Sequence, residues 1–336
     1  TQAPYVDQIA FRYFPDAASA LAAYRKGEIG GIGQVDREIL SSVLQEVGLK
    51  IYSSRLPEWT LIFLNLDNPN VPFFSEASVR KALLMGINRQ RIIDTVLSGQ
   101  AFLSDGPILP GSWAYYEGIG RIAYDPNKAI ALLKEAGYTI PAEGGSVRAN
   151  QDGVKLSFTL IYPQGGQYEV IAQAVQKDWA QIGVEAKLNP LPYDELATNY
   201  LDARQYQAAL VDISLARTPD PDPYPFWHQA QITGGQNYSK WDDRQASEYL
   251  EGARLSTDLV ERTRLYKNFQ VRWAQELPAL PLFYPIYNYA ISNDLQGVSV
   301  GPLFDPSDRF TNLMDWFLVT KRTSASEPTI TTTSTP

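Results

Sequence analysis

The sequence predicts an α/β protein that is divided into two lobes. The chain opens with strand and helix patterns in succession, and a strand–helix–strand unit covers residues 156–188, about the length that a parallel crossover requires. Its 336 residues favour two domains over one. The central stretch 59–288 has the elements of a complete domain, whereas the stretches before and after it look incomplete.

The first part of the chain reads as strand, helix, helix and strand. Apolar residues alternate over much of 5–14, which predicts a strand. Helix patterns follow at 16–26 and at 35–47, the second with Asp36 as its expected capping residue, and 49–52 is expected to form a strand. This order is typical of α/β proteins.

The central stretch combines apolar strands with capped helices. Strand patterns occur at 59–66, 156–162, 184–188 and 208–213, and 281–290 runs extended. The expected helix caps are Ser75, Asn88 and Asp125, and the expected helix stops are Gly99, Gly137 and Gly183. Two loops rich in proline or glycine interrupt the pattern, at 104–120 and 218–225.

One lobe inserted into another explains this organisation economically. Residues 1–58 are expected to form part of lobe 1, residues 59–288 to form lobe 2, and residues 289–322 to return to lobe 1. The last residues, 323–336, are mostly Ser, Thr and Pro, and they predict a disordered tail.

Composition excludes several classes of function. The chain has no cysteine, so disulfides, thiolate metal sites and cysteine nucleophiles are absent. A net charge of −8 argues against nucleic-acid binding. His228 is the single histidine, and Asp220–Asp222 lacks the glycine and distal glutamate of a calcium loop, so we expect no metal and no other cofactor. No apolar run is long enough to cross a bilayer, and no signal peptide is present.

Short segments spread from Tyr5 to Trp316 resemble the family 5 extracellular solute-binding proteins, the dipeptide, oligopeptide and nickel class of ABC-importer receptors. Their shared order and spacing make the match specific. The segments include Phe63–Asp67, Val79–Leu83, Ile87–Arg89, Gly106–Pro110, Tyr124–Pro126, Ile182–Val184, Asp220–Pro223, Asn237–Ser239 and Pro278–Leu282. Two positions depart from the family pattern. The family often has alanine where this chain has Ile87, and it usually has aspartate where this chain has Gly30.

The resemblance implies a fold and a role. The fold is the two-lobed, periplasmic-binding-protein-like type II (cluster C) architecture, here with an incomplete first lobe and a complete inserted second lobe. The implied protein is a monomeric receptor, periplasmic or extracellular, whose lobes close by hinge motion over a peptide, an oligosaccharide or a similar polar solute. It would deliver that solute to ABC permease subunits. A missing N-terminal portion would carry the signal segment and any membrane anchor.

Two loops supply the candidate ligand-binding residues. Exposed aromatic rings suit stacking on a sugar or a peptide side chain, and ligands of open α/β lobes favour the carboxyl ends of strands. The candidates are Trp113, Tyr115 and Tyr116 in the first loop and Asp220, Asp222, Tyr224 and Trp227 in the second. The alternatives are loop anchoring for the rings and turn formation for the aspartates. In peptide-binding members an aspartate of the second loop holds the ligand α-amino group; the resemblance places Pro219 or Asp220 there, which leaves peptide and sugar both open.

Two rival functions remain. Carboxylates and aromatic rings could form a glycoside hydrolase, but nothing positions an acid and a base, and there is no nucleophile elbow, P-loop or dinucleotide motif. We therefore expect no catalytic residues. A ligand sensor or signalling protein on the same fold is the other alternative.

Overall fold

The computed structural model describes residues 5–215, 220–301, 303 and 305–319. These residues divide into two compact units. Unit 1 comprises the described residues of the ranges 1–53, 288–301 and 307–336. Unit 2 comprises the described residues of the ranges 54–287 and 302–306. The assignment of the units to two lobes stays a prediction, and the expected tail at 323–336 lies outside the described residues.

The helices and strands follow the α/β order expected from the sequence. The helices are α1 (Ala17–Arg25), α2 (Arg37–Val43), α3 (Ala77–Met85), α4 (Arg89–Arg91), α5 (Pro126–Glu135), α6 (Tyr168–Gln181), α7 (Tyr193–Glu195), α8 (Tyr224–Trp227), α9 (Arg244–Leu255) and α10 (Leu259–Glu276). The strands are β1 (Gly31–Ile32), β2 (Leu49–Arg55), β3 (Glu58–Leu64), β4 (Ala101–Leu103), β5 (Ser157–Pro163), β6 (Glu185–Leu191), β7 (Ala208–Ser214), β8 (Ala279–Ser292), β9 (Leu295–Gln296) and β10 (Phe317–Leu318). Single π-helical turns extend α4 and α7, over Ile92–Val96 and Leu196–Asp202.

Unit 2 is built on a mixed sheet in the strand order β8-β3-β7-β5-β6, with β4 also paired to β8. Strand β5 runs parallel to β6 and β7, so β5, α6 and β6 form the predicted parallel crossover. Strand β3 is antiparallel to β7 and β8, and its residues from Trp59 to Leu64 are all buried. A strand that is buried on both faces reads as a continuous apolar run, which is how the sequence presents it.

Most of the expected helix boundaries are confirmed. The side chain of Asn88 accepts a hydrogen bond from the amide of Arg91, and that of Asp125 accepts one from Lys128. After their helices, Gly137 and Gly183 have φ values of +88° and +81°, in the left-handed region that favours glycine.

The prediction that Ser75 caps a helix is wrong. Ser75 ends a 3-10 turn, Pro72–Ser75, and its hydroxyl donates to the carbonyl of Pro72 at 2.7 Å. Glu76 takes the capping position of α3 instead. The serine hydroxyl is used by the preceding turn, and a hydroxyl that is engaged locally does not serve as a helix cap.

Unit 1 has a small hydrophobic core, and one strand that the sequence predicted there does not form. Strand β1 pairs with Ala290 and Ile291 of β8, and β9 pairs with β10. Residues 5–14 form no strand, although their alternation predicted one. Their aromatic rings instead contact rings near the end of the described chain, with centroids 6.2 Å apart for Tyr5–Phe317 and 5.7 Å for Phe11–Phe310. Alternation gives a strand only where a partner strand supplies hydrogen bonds.

No helix in the described part of the chain is long and apolar enough to span a lipid bilayer.

Candidate functional site

One edge of the unit 2 sheet gathers polar side chains. Strand β7 ends at Ser214, which pairs with Glu58 at the start of β3, and Asp212 pairs with Thr60 two residues further along. Asp212 accepts hydrogen bonds from the hydroxyls of Thr60 (2.5 Å) and Tyr168 (2.8 Å). Because side chains two residues apart in a strand share a face, Glu58 lies on the same face as this cluster.

Burial dominates the electrostatics of these carboxyl groups. It raises the pKa of Asp212, and the hydrogen bonds from Thr60 and Tyr168 oppose part of that rise. The pKa of Glu58 is raised as well, first by burial and then by the negative charge of Asp212. Among the described residues, no cationic side chain offsets the effect of burial on either carboxyl group.

The second candidate loop is fastened to α9 and α10 by ion pairs. The Asp220 carboxylate lies 2.6 Å from the Arg262 guanidinium, and Asp222 lies 2.6 Å from that of Arg254. The ring of Tyr224 is enclosed between the Arg254 guanidinium, 3.6 Å from its centroid, and the His228 ring, stacked at 4.0 Å. The loop is therefore held by charge and by ring contacts.

The first candidate loop rests on α10. The ring of Trp113 contacts the ring of Tyr266, with centroids 5.7 Å apart, and the Arg262 guanidinium lies 5.0 Å from the indole centroid. Lys267 lies 4.4 Å from the centre of the Tyr116 ring. Side chains of helix α10 thus contact both loops. The Arg262 side chain lies close to Trp113 of the first loop and forms an ion pair with Asp220 of the second.

Gln270 ties the first loop to α10 from within the core. Its side chain is fully buried. The amide nitrogen donates to the carbonyls of Ala114 (2.8 Å) and Tyr266 (3.0 Å), and the amide oxygen accepts from the backbone of Tyr116 (3.2 Å). Two of these hydrogen bonds hold the loop backbone at Ala114 and Tyr116, and the third, to Tyr266 of the same helix, orients the Gln270 side chain.

Two of the sequence-predicted aromatic residues lie away from these contacts. Tyr115 is half-buried against the core of unit 2, and burial raises the pKa of its hydroxyl. Trp227 is only 1% exposed, and its ring contacts those of Trp59, Phe63, Trp241 and Trp273. A ring enclosed in this way packs in the core, so the other six residues are the ones that stay candidates for ligand contact.

Several residues of the site were not predicted from the sequence. Asp212 had a signal, because it is the one charged residue in the strand Ala208–Ser214, whose other residues up to Ile213 are apolar. Arg254 and Arg262 had none, since charged residues are ordinary on helices such as α9 and α10. Among the described residues no group of three His, Cys, Asp or Glu is placed to hold a metal ion.

Comparison with known proteins places the chain in a family. The family described as bacterial extracellular solute-binding proteins, family 5 Middle, matches residues 1–234. The oligopeptide-binding protein AppA of Bacillus subtilis is 28% identical over 319 residues, covering 94% of this chain and 56% of the relative. The dipeptide-binding protein of Escherichia coli is 26% identical over 302 residues, covering 89% and 54%. The chain thus spans about half the length of these curated relatives.

Solved structures show the same fold. The structure of Bacillus subtilis AppA in complex with a nonapeptide matches with a TM-score of 0.75 and 27% identity, over 91% of this chain and 59% of that one. HbpA2 from Haemophilus parasuis matches with a TM-score of 0.77 and 23% identity, over 94% and 59%. The mixed α/β arrangement is that of type II periplasmic binding proteins, as the family resemblance implied. The chain belongs to family 5 of the bacterial extracellular solute-binding proteins.

Proposed function

We propose that this chain forms part of the peptide-binding site of a receptor that serves an ABC importer. The observation that carries the proposal is the similarity of nearly the whole chain to AppA, whose structure was solved with a bound nonapeptide. The chain spans about half the length of such relatives, so the activity of the whole protein is itself part of what we propose.

The site has the chemistry that a peptide requires. A peptide presents apolar and aromatic side chains, backbone amides and carbonyls, and charged ends. The rings of Trp113 and Tyr116 offer faces for stacking, while Arg262 and the carboxylates near it offer charged hydrogen-bond partners. A receptor of this kind needs only to bind and release its ligand, so the proposal assigns no reaction to the chain.

A peptide is favoured over a sugar. AppA is named for oligopeptides and the Escherichia coli relative for dipeptides, which supports the peptide alternative that the sequence left open. No observation on the site favours the glycoside hydrolase or the sensor. The proposed partners are ABC permease subunits, and the proposed location is outside the cytoplasmic membrane.

Calorimetry on the full-length gene product tests the proposal. A library of short peptides is titrated in one arm and a set of oligosaccharides in the other. We expect heat of binding only with peptides and a weakening of about tenfold in Trp113→Ala, as when a contact ring is truncated. Tyr124→Ala, which removes an aromatic ring from an exposed residue outside both loops, is the matched control. Binding of oligosaccharides alone would refute the proposal.

A further inference from the structure

Both faces of the Tyr224 ring are covered by other side chains of unit 2. The Arg254 guanidinium lies 3.6 Å from the ring centroid, and the His228 imidazole is stacked at 4.0 Å with an interplanar angle of 14°. Two groups at these distances cannot share one face, so they lie on opposite sides of the ring. A ligand that reaches Tyr224 therefore meets the edge of the ring and its hydroxyl rather than a face.

The two groups that enclose the ring are themselves held in place. The Arg254 guanidinium donates two hydrogen bonds to the Asp222 carboxylate, at 2.9 and 2.6 Å. The His228 ring is buried; its Nδ1 accepts from the amide of Ala230 at 3.0 Å, and its Nε2 lies 2.9 Å from a Glu251 carboxylate oxygen. Because Nδ1 is an acceptor, Nε2 carries the proton and donates it in a hydrogen bond. The ring between these groups is thus fixed before any ligand arrives.

The hydroxyl of Tyr224 is available to a ligand. The backbone amide of Tyr224 donates to the Asp222 side chain at 3.2 Å, and its carbonyl accepts from the amide of His228 at 3.1 Å. Among the residues that the structure describes, the hydroxyl has no hydrogen-bond partner, and its oxygen is not buried. A hydroxyl on a ring of fixed position binds with little further loss of freedom, so it is preorganised for a hydrogen bond.

We infer that Tyr224 recognises the backbone of the peptide, with its hydroxyl donating a hydrogen bond to a carbonyl oxygen of the ligand. The inference rests on the proposed function. The guanidinium charge against the ring favours donation, because it stabilises the partial negative charge that a donating hydroxyl gains at its oxygen. Arg254 and His228 are then positioning residues, which act through Tyr224 and need not touch the ligand.

The hydroxyl, and not the ring, should therefore make the contact. Tyr224→Phe removes one oxygen atom and leaves the ring between its two neighbours. The loss of one hydrogen bond weakens binding by about fivefold. If the ring stacked on the ligand instead, phenylalanine would replace tyrosine at little cost. Every residue of a peptide carries a backbone carbonyl, so the loss should be the same for peptides whose side chains differ.

Calorimetry on the full-length gene product compares two variants that each lose one hydroxyl. Dissociation constants are measured for short peptides that differ only in their side chains. We expect Tyr224→Phe to weaken the binding of each by about fivefold. The matched control is Tyr249→Phe, because Tyr249 lies on the same helix as Arg254, is partly buried, and likewise has no hydrogen-bond partner for its hydroxyl within the described ranges. Its dissociation constants should equal those of wild type.

A double-mutant cycle tests the positioning role of Arg254. Arg254→Ala uncovers one face of the ring, so the hydroxyl loses its fixed position, and we expect binding to weaken by about threefold. In the Tyr224→Phe background the same substitution should cause no further loss. A purely structural effect would weaken binding by the same factor in both backgrounds, and that result would overturn the positioning role.

The outcomes separate this inference from the proposed function. Wild-type affinity in Tyr224→Phe overturns the inference, since the hydroxyl would then make no contact with the ligand. An equal loss in Tyr249→Phe, or a loss in Tyr224→Phe that occurs only with certain peptide side chains, also overturns it. Wild-type protein that binds none of a library of short peptides would instead refute the proposed function, and the inference would fall with it.

Discussion

The hydrogen bonds of Gln270 allow a quantitative prediction for Gln270→Ala. The side chain is fully buried and makes three hydrogen bonds, to Ala114, Tyr116 and Tyr266. Each such bond contributes about 1 kcal/mol, so its loss should lower the free energy of unfolding by about 3 kcal/mol. The cavity left by the missing atoms adds to that loss.

Denaturant unfolding measures the change in stability, and amide hydrogen exchange locates it. In the variant, the amide of Tyr116 should lose protection before the sheet does, because its acceptor is gone. Gln275→Ala is the control, since Gln275 is exposed on the same helix. A loss below about 1 kcal/mol, or equal losses in the two variants, would refute the view that Gln270 fixes the first loop.

Three further predictions concern packing, ligand contact and pH. Trp227→Ala should lower the free energy of unfolding by about 3–5 kcal/mol, because the ring is enclosed in the core; a smaller change than in Trp113→Ala would contradict this. Trp113→Ala should weaken peptide binding about tenfold with a melting temperature nearer to wild type, as calorimetry and scanning fluorimetry would show. Burial raises the folded-state pKa of Asp212 above its usual value of 3.8, so the folded state binds a proton more readily than the unfolded chain does. This carboxyl group therefore favours folding at low pH, and its contribution is lost as the pH rises through the folded-state pKa. Asp212→Asn should accordingly raise the melting temperature relative to wild type more at pH 8 than at pH 4, and an equal difference at both would contradict the assignment.

The sequence predicts elements whose signals are local. The apolar run of β3, the parallel crossover through α6 and the caps at Asn88 and Asp125 depend on residues close together in the chain. The strand expected at 5–14 failed for a physical reason. Its alternation describes which faces are apolar, whereas strand formation requires a partner that the local pattern does not specify.

The candidate site was predicted only in part. Aromatic and acidic residues in loops identified Trp113 and Asp220, but the arginine that joins them is on a helix more than forty residues beyond Asp220. Trp227 shows the converse. It lies on the same short helix, α8, as Tyr224, yet its ring contacts four aromatic rings of the core. Sequence spacing does not distinguish a ring that stacks on a ligand from one that packs in the core.

The central claim is that the two loops received by α10 contact a peptide. Mass spectrometry of ligands that co-purify with the full-length gene product, under conditions that keep complexes intact, tests it most directly. We predict peptides in the wild-type sample and a reduced amount in Trp113→Ala. Oligosaccharides in place of peptides, or the same peptide content in both samples, would contradict the claim.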